Sequence, residues 1–182
     1  DVLVLEREAR EGAGVSSRNS GVIHSGLYYP PDSLKARTCI RGQELLYSWC
    51  KARKVPHARL GKLVVARDTA EEAELAEVEV EAVVALAADA AAAGARDCVL
   101  VSGAEVARRE PALPPMRAAL WCPHTGIVDA HALVSSLRAD AEAHGAVFSP
   151  RTAVQRGQVA GDRITLHTTR GPVAAAAVIN AP

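Results

Sequence analysis

The run Asp1-Val2-Leu3-Val4-Leu5-Glu6 constrains the fold more than any other part of the sequence. An unbroken apolar stretch of this kind reads as a strand buried on both faces of a parallel sheet, and a carboxylate closes it. From Glu11 to Gly26 the chain is then rich in Gly and Ser, which suits a loop where backbone must approach something closely. In dinucleotide-binding α/β folds a strand ending in an acidic residue has a specific use, because its carboxylate accepts hydrogen bonds from the ribose hydroxyls of an adenosine. Glu6 is placed for that. The GxGxxG turn that precedes such a strand by about 20 residues is not in the chain.

Helices and strands alternate after the loop. Pro30 and Pro31 break the chain, Asp32 or Ser33 can cap a helix, and Ile40, Leu45, Leu46 and Trp49 recur at helical spacing up to about Lys54. One or two packed helices are expected there. Gly61 to Ala66 reads as a strand, and Thr69 with Glu72 resembles a capping box opening a long helix that ends near Gly94. The acidic run of that helix, Glu71 to Glu81, reads as a solvated face. Val99 to Val101 is a short strand, Ala104 to Glu110 a helical turn, and Pro111 to Pro115 a linker. Thr125 to Asp129 reads as a turn into a helix from about Ala130 to Ala143, closed by Gly145. Short strands then follow at 146–148, 152–155, 163–168 and 173–179, a meander expected to return to the sheet.

Composition excludes several classes. With 21 basic and 21 acidic residues the net charge is zero, so no field draws the chain to nucleic acid. Cys39, Cys50, Cys98 and Cys122 form no CxxC pair and no Cys/His ligand spacing, so no metal site is expected and reduced thiols are. No apolar run reaches the roughly 18 to 20 residues of a membrane span, and no secretory signal is seen. The chain lacks an initiator Met and both ends run through strand-like segments, Val178-Ile179 being the second. A piece of a longer chain, truncated at both ends and inactive alone, is expected.

The stretch Gly14 to Tyr29, GVSSRNSGVIHSGLYY, carries the chemistry. Ser16, Ser17, Asn19 and Ser20 supply short donors and acceptors, Gly21 and Gly26 let backbone amides approach a planar ring or a pyrophosphate, and Arg18 can offset phosphate charge or contact substrate. This stretch resembles the flavin-contacting loop of the D-amino-acid-oxidase-like superfamily of FAD oxidoreductases, in particular L-2-hydroxyglutarate dehydrogenases and oxidases. The likeness continues in order through 33–37, 55–63, Glu110-Pro111-Ala112-Leu113, and Thr125-Gly126-Ile127-Val128-Asp129 with His131-Ala132-Leu133.

The resemblance implies a doubly wound, Rossmann-like α/β FAD-binding domain interrupted by a mixed α+β substrate-side domain. Residues 1–54 would be the first part of the FAD domain, 55–119 the substrate side, and 120–182 the return. Cofactor contacts are implied for Glu6, Arg7, Ser16, Ser17, Arg18, Asn19, Ser20, Gly21 and Val154. Tyr28, Tyr29 and His24 are implied on the substrate side. Oxidising a hydroxy acid through flavin needs hydride transfer from C2 and removal of the hydroxyl proton, and the unperturbed pKa of His suits that transfer near neutrality. His24 could serve as base, as anchor for a substrate carboxylate, as a partner tuning the flavin, or as a covalent flavin attachment.

The expected partners are a small 2-hydroxy acid and an electron acceptor, either oxygen, a quinone or a carrier protein. Peripheral membrane association is left open, and the compartment would be mitochondrial in a eukaryote and cytoplasmic or membrane-peripheral in a bacterium. An amine or amino-acid oxidase of the glycine or sarcosine type is the rival enzyme, and a non-catalytic relative the rival of another class. Asp129 is the expected N-cap of its helix, and His57, His124, His144 and His167 show no constellation. The family's late strand runs into a Gly turn that closes over FAD, where Asn180-Ala181-Pro182 stands here, and its C-terminal substrate-facing arginines have no counterpart.

Overall fold

Helix α1, Leu34–Arg53, begins because Ser33 Oγ accepts the Ala36 amide at 3.1 Å, satisfying one of the amides a helix start leaves open. Asp32, the other candidate cap, instead takes a left-handed φ of 64°. The helix stops at Lys54, also left-handed, two residues before Pro56. The structure, a computed structural model, describes residues 1–27, 29–67, 73–95 and 97–181. The capping box expected at Thr69 and Glu72 lies outside the described residues, as does Tyr28.

The chain divides into two compact units, 1–20 with 130–182, and 21–129. In the first, β1 (Leu3–Leu5) pairs in parallel with β8 (Val147–Ser149), which follows α4 (Ala130–Ala143). Parallel pairing is as expected, but burial on both faces is not. Arg138 of α4 lies over the Phe148 ring at 5.1 Å, while Leu3 and Val147, on the opposite face by alternation, are 44% and 60% exposed. Leu5 and Ser149, on that same face, are half-buried, so the described residues cover it only in part. Strands β9 (Val154–Ala160), β10 (Arg163–Thr168) and β11 (Gly171–Ala175) form the expected meander, but as a separate antiparallel sheet that does not rejoin β1 and β8. Val178-Ile179 is not strand either, since no described strand offers its backbone a ladder.

In the second unit the sheet order is β4 (Lys62–Arg67), β6 (Met116–Cys122), β5 (Val99–Ser102), with α2 (Ala73–Ala92) packed on it and α3 (Gly103–Arg109) following β5. Val83 and Ala90 of α2 meet Ala66, Leu120 and Cys122 in a core closed by Leu27 and Ala95. Leu120 is fully buried, and burying a side chain of its size stabilises by about 1.5–3 kcal/mol. A smaller sheet joins β2 (Val22–Ile23), β7 (Gly126–Val128) and β3 (His57–Ala58). The segment expected as a plain turn at 125–129 is therefore mostly the central strand β7, held on both sides by partners distant in sequence. Among the described residues no helix is long and apolar enough to cross a membrane, and no cluster of three or more ligating side chains could hold a metal ion.

Candidate active site

Parallel register brings the carboxyl ends of β1 and β8 to one edge, where open α/β sheets bind their ligands. The Glu6 amide donates to Ser149 O at 3.1 Å, the Thr152 amide to Glu6 O at 2.8 Å, and the Arg151 amide to Glu8 O at 2.9 Å. Glu6 thus stands beside the 150–153 turn that leads into Val154. Its Oε1 accepts the Glu8 amide at 2.7 Å, which fixes the carboxylate. Arg7 is exposed and pairs with Glu8 at 3.2 Å, a surface contact of little energetic consequence.

The loop after Glu6 tightens into a single 3-10 turn at Val15–Ser17. Ser17 Oγ is turned inward, bonded to the carbonyls of Gly14 at 2.8 Å and Ala13 at 3.0 Å, and Asn19 Nδ2 donates to Ser16 O at 2.5 Å. Ser16, Arg18 and Ser20 face outward. Helix α4 carries this loop: Arg138 pairs with Glu11 at 2.7 Å, and Val134 Cγ1 sits 3.3 Å from where a Cβ on Gly12 would be. The Arg138 hydrogen bond, followed by Glu11's own backbone amide, holds the Glu11 carboxyl below its ordinary 4.5. A carboxylate at the strand end, an outward guanidinium and outward hydroxyls form a donor and acceptor set that fits a dinucleotide's ribose and diphosphate.

In the second unit Gly21 opens β2 with a left-handed φ of 66°, and its carbonyl accepts the Val128 amide at 2.8 Å. A Cβ there would lie 2.7 Å from Val128 O, so glycine is required by the β2–β7 seam itself. Beyond Ile23 the ladder ends and His24 begins a turn, its imidazole exposed. The buried Ser25 and Thr125 hydroxyls bond at 3.2 Å beneath it. Lys35 Nζ lies 4.3 Å from the Tyr29 ring centroid, a cation held on an aromatic face.

Sequence reasoning missed the polar row on α1. Cys39 Sγ reaches His24 O at 3.6 Å, Gln43 Nε2 donates to His24 O at 3.0 Å and to His124 O at 2.9 Å, and Tyr47 Oη donates to His124 O at 2.9 Å. Burial, the larger effect, raises the Tyr47 pKa against the lowering pull of Arg59, so the phenol stays a donor. His124 itself is held by Asp97, with Nε2 2.8 Å from Oδ2. The spacing 39, 43, 47 was the one signal in the sequence, since residues four apart share a helix face. Nothing local links Asp97 to His124.

The chain matches the family described as DAO, FAD dependent oxidoreductase, over residues 1–182. It is 35% identical over 185 residues to "L-2-hydroxyglutarate dehydrogenase, mitochondrial" of Arabidopsis thaliana, covering 92% of this chain and 36% of that protein. With the Homo sapiens protein of the same name it shares 35% over 147 residues, 80% of this chain and 30% of that one. The chain thus spans about a third of the length of these relatives. Among solved structures, glycine oxidase from Geobacillus kaustophilus superposes with a TM-score of 0.82 at 20% identity, covering 97% of this chain and 47% of that one. L-alpha-glycerophosphate oxidase from Mycoplasma pneumoniae with FAD bound gives 0.81 at 23%, over 93% and 43%. The α/β fold with FAD-binding architecture expected from the 14–29 stretch is the fold observed. The chain belongs to the DAO family of FAD dependent oxidoreductases.

Proposed function

We propose that this chain supplies FAD-binding and substrate-side residues of an enzyme that oxidises L-2-hydroxyglutarate to 2-oxoglutarate. The observation that carries the reading is the similarity to named L-2-hydroxyglutarate dehydrogenases across nearly the whole chain. Bound FAD supplies the two-electron acceptor of such a reaction. Glu6 would accept hydrogen bonds from the adenosine ribose with Arg7 beside it, and the backbone at Val154 would meet the adenine. Ser16, Arg18 and Ser20, outward on the loop, would contact the cofactor directly, while Ser17 and Asn19, bonded within the turn, would shape it. Gly21 would bring backbone close to the ring.

His24 would take the proton from the C2 hydroxyl onto its exposed imidazole as the hydride leaves C2, so that two electrons and two protons depart from the substrate. Tyr28 and Tyr29 would line the substrate, and the Lys35 cation over Tyr29 suits the dicarboxylate charge of this hydroxy acid. The electrons would pass to oxygen, a quinone or a carrier protein, and the word "mitochondrial" in the relatives' names supports that compartment for a eukaryotic source.

Steady-state kinetics of this sequence flanked by the segments its curated relatives carry tests the reading. Turnover of L-2-hydroxyglutarate is expected, and turnover of glycine or sarcosine with none of the hydroxy acid would refute it. The same protein without visible flavin absorbance would point to a non-catalytic relative. In the active enzyme, His24→Ala should lower kcat by about 10²-fold or more, the scale of a lost general base; unchanged kcat would return His24 to a structural role.

A further inference from the structure

We infer that Gln43 is a positioning residue for His24, its carboxamide tying the His24 turn to the turn that holds His124. The inference rests on the reading of His24 as the proton acceptor. Strand β2 pairs through two residues only, Val22 and Ile23, so the ladder stops one residue before His24. Beyond that point the backbone direction at 24–25 must be set by something other than the sheet. The His24 carbonyl accepts Gln43 Nε2 at 3.0 Å, and the same nitrogen reaches the His124 carbonyl at 2.9 Å. A primary amide suits this task because one nitrogen carries two hydrogens, without charge, in a plane that can span two acceptors. Arginine or lysine would add a cation beside the reacting proton.

The second anchor is itself fixed. Tyr47 Oη donates to His124 O at 2.9 Å, Asp97 holds the His124 ring at 2.8 Å, and Thr125 bonds Ser25 at 3.2 Å. Gln43 therefore ties the His24 turn to a braced one, beside the Thr125–Ser25 bond and the Cys39 Sγ that lies 3.6 Å from the same His24 carbonyl. Helix α1 supplies the rigid platform, since Cys39, Gln43 and Tyr47 lie one turn apart on a single face. Locking a carbonyl fixes the peptide plane that follows Cα of His24, and with it the direction in which the imidazole leaves the chain. A displacement of about 1 Å in a reacting group costs on the order of 10²-fold in rate.

The test compares Gln43→Met and Gln43→Glu with the parent in the holoenzyme, this sequence in the flanking context of its relatives. Gln43→Met keeps length and removes the donor. Flavin reduction by L-2-hydroxyglutarate without oxygen should slow by about 10- to 100-fold with KM changed less than about threefold. Amide hydrogen exchange at 23–26 should accelerate while exchange in β4 and β6 does not. In Gln43→Glu the ionised carboxylate offers no donor to either carbonyl and the protonated form offers one, so its rate relative to parent should rise as pH falls. That profile decides the matter should Gln43→Met fail to fold. His24→Ala added to Gln43→Met should cost less than the product of the two single effects.

Parental flavin reduction in Gln43→Met overturns the inference, as does slower reduction with exchange raised throughout the unit, or a Gln43→Glu ratio flat in pH. Full turnover by His24→Ala alone refutes the assignment of His24, and with it the positioning role, even where exchange at 23–26 responds to Gln43.

Discussion

Replacing Gly21 by Ala measures what the start of β2 needs for folding. The residue sits at φ +66°, where an L side chain costs roughly 1–2 kcal/mol. The new Cβ would lie 2.7 Å from Val128 O, a backbone atom that cannot swing aside as a side chain would. Relief of that clash opens the 2.8 Å bond from the Val128 amide to Gly21 O, worth about 1 kcal/mol. The expected loss is therefore about 2–3 kcal/mol, a large share of the 5–15 kcal/mol that holds a typical domain. Both tryptophans, Trp49 and Trp121, lie in the 21–129 unit, so urea unfolding followed by their fluorescence reports on it. Gly42→Ala is the control: it lies in α1 with nothing within 4 Å of its added Cβ, and should stabilise by about 0.5–1 kcal/mol. A Gly21→Ala midpoint within about 0.5 kcal/mol of the parent, with the control behaving as stated, would refute the seam argument.

Two further outcomes follow from the ionisable groups. The Glu11 carboxyl is held below 4.5, chiefly by Arg138, so the stability it contributes is present above its ordinary pKa and is lost as pH falls through the lower folded value. Unfolding midpoints of parent and Glu11→Gln should accordingly differ most near neutrality and converge in acid, and a difference that grows in acid would contradict the pairing. Burial and then the neighbouring Cys98 push the Cys122 thiol well up, which keeps it protonated at pH 8, and the side chain is fully buried. Iodoacetamide should spare Cys122 until the chain is denatured, and labelling of the folded protein at the unfolded rate would show the thiol to be accessible.

How far the sequence alone reaches depends on how local the governing interactions are. Helix α1 was legible because its cap, its apolar spacing and its stop all act within four residues, and α4 with Gly145 for the same reason. The family was legible because one contiguous stretch, 14–29, carries its pattern. What the tertiary structure decided involves partners far apart in the chain. Residues 126–128 became a strand because β2 and β3 flank them, the 154–175 strands closed on themselves instead of rejoining β1, and the face of β1 bearing Leu3 was left partly exposed. Gln43 meets a carbonyl 81 residues away, and Ser25 a hydroxyl 100 residues away. Propensity and periodicity describe a residue's neighbours along the helix or strand; which carbonyl an amide side chain finds across the fold depends on the packing of whole elements, and only the assembled chain specifies that.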